Sequence, residues 1–217
     1  IFLTRSINPE DLIPMSAHRS GTRHKTPEKR QLGRDEWLDA AAAAIAEGGF
    51  DNVRILVLAK KLGVTRGSFY WHFQDHAEFI SAFLERWRDR RLRELTFWKP
   101  TGGDAETELR SVLRFLLSDT ARSLRRLRVE LAVRDYARRN DAAAAMVAEV
   151  DRARLEQATR LLGLVTSDPD EARDLALRLY MNTIGSQVVL TASTAKESTI
   201  ARMENLIAEF VLSHTRR

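Results

Sequence analysis

The sequence predicts an all-α protein. Three observations carry that expectation. From residue 34 onward apolar residues recur at intervals of three and four, no segment alternates at period two, and the breaks between periodic stretches are short and rich in Gly, Pro, Asn or Asp. The 217 residues include 44% apolar and 30% charged positions, no cysteine, and a formal net charge of +5. A chain of this length buries enough surface to fold without staples, and zero cysteines exclude disulfides, thiolate metal sites and Fe–S clusters. The basic balance favours an anionic partner. The longest apolar runs fall far short of the roughly 20 residues that span a bilayer, so no membrane span is expected, and the lack of thiols suits a reducing, cytoplasmic setting.

Residues 1–33 hold Pro9, Pro14 and Pro27, Gly21 and Gly33, and no sustained period; they read as a flexible arm. Arg5, Arg19, Arg23, Lys25, Lys29 and Arg30 outnumber Glu10, Asp11 and Glu28, giving the arm a basic balance. The order of a signal peptide, charge first and a long apolar run after it, is missing. The chain begins with Ile, and Met15 is the expected initiator.

The first helix carries Trp37, Leu38, Ala41 and Ile45 on one stripe and is expected to stop at Gly48-Gly49, where glycine takes the left-handed cap. Next comes Val57-Leu58-Ala59-Lys60-Lys61-Leu62-Gly63-Val64-Thr65-Arg66-Gly67-Ser68-Phe69-Tyr70-Trp71-His72-Phe73. Leu58 and Leu62 before Gly63, with Phe69 and Phe73 after it, describe two short helices joined by a tight turn, a helix-turn-helix. Ala59 is small where the helices must approach, and Gly63 supplies the positive φ of the turn. Thr65 is placed to cap the second helix, leaving its first N–H groups for an anion. With Phe69 and Phe73 turned inward, Arg66, Gly67, Tyr70 and Trp71 emerge on the opposite side, where a guanidinium, a close-approach backbone and aromatic groups suit phosphates and base edges. Lys60 and Lys61 read as a solvated helix face.

A longer helix follows, opened by Asp75-His76-Ala77-Glu78 in the pattern of a capping box and carrying Phe79, Ile80, Phe83, Leu84, Trp87 and Leu95 on its apolar stripe. His72 and His76 stand four apart, a spacing two metal ligands would share, but the helix break at Gln74-Asp75 falls between them and no His-Glu-x-x-His motif is present. After a break at Lys99 to Gly103, helices are expected over 104–122, 124–139, 141–162, 168–193 and 197–214. Carboxylates and arginines alternate along Arg86 to Arg93 and Asp151 to Glu156, the look of exposed, ion-paired faces.

The run Leu62-Gly63-Val64-Thr65 and above all Gly67-Ser68-Phe69-Tyr70-Trp71-His72-Phe73, with Gly49-Phe50 and Leu58-Ala59 before them, resembles the TetR family of bacterial regulators over about residues 34–80. The resemblance implies a three-helix DNA-binding domain at 34–80, following the arm at 1–33. It also implies a helical ligand-binding and dimerisation domain at 81–217. It makes Arg66, Gly67, Ser68, Tyr70, Trp71 and His72 the DNA-facing set, with Thr65 beside them. Two positions depart from the family pattern: Arg54 stands where a capping Thr is usual, and is expected to hold a phosphate instead. His76 stands where a Lys is usual, exchanging a permanent backbone contact for a titratable one.

The same resemblance implies a double-stranded operator, a small-molecule effector and a homodimer. Aromatic and polar residues at buried-looking positions, Phe83, Trp87, Phe115, Tyr136 and Tyr180, are the candidate effector lining. Leu175, Leu179 and Thr183, with Leu206, Ile207 and Phe210 of the last helix, offer the broad apolar surface from which two copies build a four-helix bundle. No dinucleotide, phosphate-loop or nucleophile-elbow motif occurs, so neither an enzyme nor a cofactor is expected. Two other readings share the charge or the core: an architectural DNA binder without a preferred site, and a ligand-binding scaffold with a degenerate head.

Overall fold

Acidic residues at the start and glycines at the end delimit the first helix of the computed structural model, which describes residues 32–96, 101–104, 107–108, 110–111, 124–164, 166–189, 201–202, 205–207, 209–210 and 213. Its helices are α1 (Arg34–Gly48), a 3-10 turn (Phe50–Asn52), α2 (Ile55–Leu62), α3 (Arg66–Phe69), α4 (His76–Glu94), α5 (Leu124–Ala137), α6 (Asp141–Leu162) and α7 (Pro169–Val189). The described residues from 205 to 210 are helical as well. Residues 1–31 of the arm, Phe115 and most of the helix expected over 104–122 lie outside the described residues.

Asp35 and Glu36 occupy the positive end of the α1 dipole, and the Gly33 N–H donates to the Glu36 carboxylate at 2.9 Å. At the far end Gly49 takes φ 75° and donates to the Ile45 carbonyl at 2.8 Å. Trp37, Leu38, Ala41, Ala44 and Ile45 are buried, as the stripe predicts. α1 packs against α2, α4 and α5, and the Ala40 to Ala44 run keeps the bulk between those helices small.

α4 is nineteen residues long, continuous across position 80, and therefore shared by the front helices and the body. The Asp75 carboxylate accepts the Glu78 N–H at 2.8 Å. The reciprocal half of the expected capping box is displaced by one residue, because Glu78 accepts from the Gln74 N–H at 2.6 Å rather than from Asp75. Phe79, Ile80, Phe83, Leu84 and Trp87 are buried, but the next buried position is Arg91, and Leu95 lies half-buried beyond the helix end.

That arginine corrects the reading of the charged runs as exposed faces. Glu130 of α5, only 3% exposed, accepts from Arg134 at 3.0 Å and from Arg154 of α6 at 2.8 Å. Arg91 of α4 approaches the same carboxylate to 3.9 Å and pairs with Glu94 at 2.8 Å. Arg134 reaches on to Asp151 at 2.7 Å and to the Tyr180 hydroxyl of α7 at 3.1 Å. Four helices thus meet on one polar network at a position where helical periodicity alone places solvent. Burial acts to raise the Glu130 pKa, but the attraction and hydrogen bond of Arg154, then Arg134 and Arg91, outweigh it and hold the carboxyl below its ordinary value. Burial, then the neighbouring Asp151, pushes the Tyr180 phenol up to about 12.

Replacing Glu130 leaves buried arginines without their counter-charge, so Glu130→Gln is expected to cost about 3–5 kcal/mol at neutral pH in urea unfolding. The folded-state pKa is lowered, so the contribution is complete above the unfolded value of about 4.3 and drains away as pH falls through the folded one. The gap between wild type and variant then narrows in acid; a gap that stays constant from neutral pH to below pH 4 contradicts the assignment.

Candidate nucleic-acid interface

Apolar pairing inside and a left-handed glycine outside shape the segment from residue 55 to 73. α2 buries Leu58 and Ala59 and ends at Gly63, with φ 70° and ψ 27°. The Gly63 N–H donates to the Lys60 carbonyl at 3.2 Å and the Val64 N–H to the Ala59 carbonyl at 3.0 Å, a Schellman turn. α3 begins three residues later. Thr65 sits at its N-cap with extended backbone, but its side chain makes no capping hydrogen bond. The cap is made by the main chain instead, with the Thr65 carbonyl accepting the Ser68 N–H at 3.0 Å. Arg54, at the N-cap of α2, likewise makes no side-chain cap; it is exposed and donates from Nε to the Asp51 carbonyl at 3.3 Å.

α3 is held by its inner face. Phe69 is fully buried, and its ring lies 5.3 Å from Trp37, 5.2 Å from Phe73 and 5.2 Å from Phe79. Arg34 ties the start of α1 to the turn after α3. Its guanidinium stands 4.3 Å over the Phe73 ring, donates to the His72 carbonyl at 2.6 Å and pairs with Glu78 at 3.2 Å. The His76 Nε2 lies 2.8 Å from the Val53 carbonyl, joining the first turn of α4 to the residue before Arg54. His76 therefore spends one ring nitrogen on the fold, whatever its other nitrogen meets. Among the described residues no cluster of three or more His, Cys, Asp or Glu side chains could hold a metal ion.

The outer face is the one the sequence reading expects. Arg66 and Gly67 are exposed, Tyr70 is 46% and Trp71 87% exposed, and Ser68 and His72 are intermediate. Gly67 has no positive φ, and a Cβ there would meet only the Thr65 hydroxyl, at 3.7 Å. Arg66 donates to the Tyr70 hydroxyl at 2.9 Å and its guanidinium lies 5.6 Å from that ring. Lys61 pairs with Glu47 at 2.9 Å while Lys60 is exposed. Arg34 and Glu78 as clamps were not singled out by sequence reasoning, nor was the exposed apolar pair Leu56 and Val57. The last had a signal: three successive apolar residues, Ile55 to Val57, cannot all face inward at 3.6 residues per turn.

The candidate effector residues divide differently. Phe83 and Trp87 are buried, and Tyr136 stacks on Phe50 at 4.2 Å within the same core. These three fill the seam between front helices and body because their rings are the bulk that closes it. The Trp87 indole N–H finds no partner among the described residues. Tyr180 belongs to the Arg134 network. A groove of about 260 Å³ lies instead between α7 and residues 206–210, lined by Leu175, Arg178, Leu179, Asn182, Leu206, Ile207 and Phe210. Leu175, Leu179 and Ile207 are covered within the chain itself, Thr183 turns its hydroxyl to the Leu179 carbonyl at 2.9 Å, and Leu206 and Phe210 remain exposed.

A short helix-turn-helix, its second helix exposed outward and clamped inward, is the arrangement that presents a recognition helix to a DNA major groove. The family model for bacterial regulatory proteins of the tetR family matches residues 38–83. It is 32% identical over 103 residues to the HTH-type transcriptional regulator AcrR of Shigella flexneri, an alignment covering 47% of this chain and about half (48%) of that protein. A transcriptional regulator from Rhodococcus sp. Rha1 superposes with TM-score 0.70 at 18% identity, over 84% of this chain and 97% of that one. A putative transcriptional regulator from Saccharomonospora viridis, solved in complex with choline, gives 0.60 at 22% identity over 82% and 94%. At such identities these structures speak for the fold.

Gly63→Ala tests the turn directly. Nothing lies within 4 Å of a Cβ at this position, so the cost is the left-handed backbone alone, about 1–2 kcal/mol. Asn, which tolerates that region, is expected to cost less in the same thermal or urea melt.

Proposed function

We propose that this protein is a sequence-specific DNA-binding transcriptional repressor, acting as a cytoplasmic homodimer on an inverted-repeat operator and released from it by a small-molecule effector. The observation that carries the reading is the division of the recognition segment. Phe69 and Phe73 are spent on the core, while Arg66, Gly67, Tyr70 and the 87%-exposed Trp71 face outward, Tyr70 resting only one edge of its ring on Phe69. Large exposed aromatics beside a guanidinium are costly in water and useful against sugar, phosphate and thymine methyl groups. Arg54, Thr65, Ser68, His72 and His76 complete the proposed contact set, on the head at 34–80.

The regulatory part rests on the body at 81–217. α4 runs from the Asp75 and His76 clamps of the head to Arg91 in the Glu130 network, so head and body share one rigid element. An effector that prefers the body arrangement with the heads at the wrong spacing then lowers operator affinity by its differential affinity for the two states. The choline bound to the Saccharomonospora viridis protein supports a small molecule as the kind of effector. α7 and the 206–210 segment, with Leu206 and Phe210 exposed, are the proposed dimer surface, and paired recognition helices would read half-sites about 34–36 Å apart or at a spacing set by the dimer.

The test is selection of bound fragments from the source genome by the purified protein at near-physiological salt, with Tyr70→Ala as control. Enrichment of a palindromic site that the variant loses supports the regulator; unrelated fragments held equally by both proteins favour the architectural binder. Gly67→Ala separates folding from contact. With room for the methyl group and a better helix former in place, its melting temperature is expected to hold or rise, while operator affinity falls because the backbone no longer approaches the DNA. Unchanged affinity removes Gly67 from the interface.

A further inference from the structure

Within that outer face one contact does more than display a side chain. Arg66 is exposed, and an exposed arginine ordinarily samples many rotamers, which it must give up on binding. Here its Nη2 donates to the Tyr70 hydroxyl at 2.9 Å and its guanidinium lies 5.6 Å from the Tyr70 ring. Tyr70 is in turn fixed from behind, its ring edge-on to the fully buried Phe69 at 5.3 Å. The chain of support therefore runs from the core through Phe69 and Tyr70 to the end of Arg66.

We propose that Arg66 reads a guanine in each operator half-site and that Tyr70 is the positioning residue that pre-sets its guanidinium for that base. The inference rests on the DNA-binding reading above and goes further by assigning the base and the division of labour. A guanidinium carries five N–H donors, so one donated to the phenol leaves the others for the O6 and N7 acceptors of guanine, the pairing its fork geometry matches. The Tyr70 hydroxyl, having accepted from Arg66, keeps its own O–H to donate to a neighbouring phosphate. One phenol thus fixes Arg66 relative to the DNA backbone. A lysine offers no such planar fork, which makes Arg66→Lys a poor substitute.

The experiment measures competition binding of wild type, Arg66→Ala, Tyr70→Phe and the double variant to the selected operator and to its single base-pair substitutions. Tyr70→Phe keeps the ring against Phe69 and removes only the hydroxyl, so the fold is not at stake. Arg66→Ala is expected to lose discrimination by roughly 5- to 150-fold at one G·C pair per half-site. Tyr70→Phe is expected to lose roughly 2- to 12-fold at that same pair, the range set by one immobilised side chain. The double variant should discriminate there no worse than Arg66→Ala alone. Several results overturn the proposal while leaving the regulator standing: a Tyr70→Phe loss that is uniform across all sequences, losses that multiply in the double variant, or an Arg66→Ala loss that falls on no G·C pair. If wild type selects no site at all, the regulatory reading itself fails, and this assignment with it.

Discussion

The Phe69 ring is the contact on which the outer face of α3 depends. α3 has four residues, far too few to be helical on intrinsic grounds, since an isolated helix needs about 12–15 residues to be even marginal in water. It exists because one side chain is locked among Trp37 of α1, Phe73 behind it and Phe79 of α4, with rings at 5.2–5.3 Å. Two of these contacts are edge-on, the arrangement that the quadrupoles of aromatic rings favour. Everything outward of Phe69 inherits its position from that lock, including the packing of Tyr70 against it and, one residue further, the exposure of Trp71.

Much of this was legible in the sequence because helical periodicity, a single positive-φ glycine and the contrast of inward with outward aromatics are local signals. The Gly63 turn, the inward Phe69 and Phe73 and the outward Arg66, Tyr70 and Trp71 follow from spacing alone. The clamps did not. Arg34 lies 38 positions from the His72 carbonyl it grips, and His76 lies 23 from Val53; such pairings exist only after the chain has closed on itself. Thr65 shows the converse error, where a residue of the right type stands at the N-cap and leaves the bond to the main chain.

The body was misread for a different physical reason. Arg91, Glu130, Arg134 and Arg154 look like surface residues because isolated charges are expelled from a core. A sequence shows each charge singly, whereas burial becomes tolerable only when several converge from different helices, here α4, α5 and α6, with Tyr180 of α7 at the edge. The aromatic candidates for the effector lining show the mirror case, packed within the core. Phe83, Trp87 and Tyr136 are of the type that lines pockets and also of the type that fills seams, and periodicity cannot separate the two uses.

The two kinds of contact act on α4 in complementary ways. At its first turn the helix is set by short hydrogen bonds from Asp75 and His76 and by the Phe79 ring, and about four turns on by Arg91. Apolar packing is non-directional and allows small slides at little cost. A network of charged hydrogen bonds has few good arrangements, and a half-broken one costs more than none. Placing such a network at the far end of α4 limits the front helices packed on its first turns to the positions the network permits. Removing any one member leaves the others buried without their counter-charge, so the network gives way as a unit rather than by degrees.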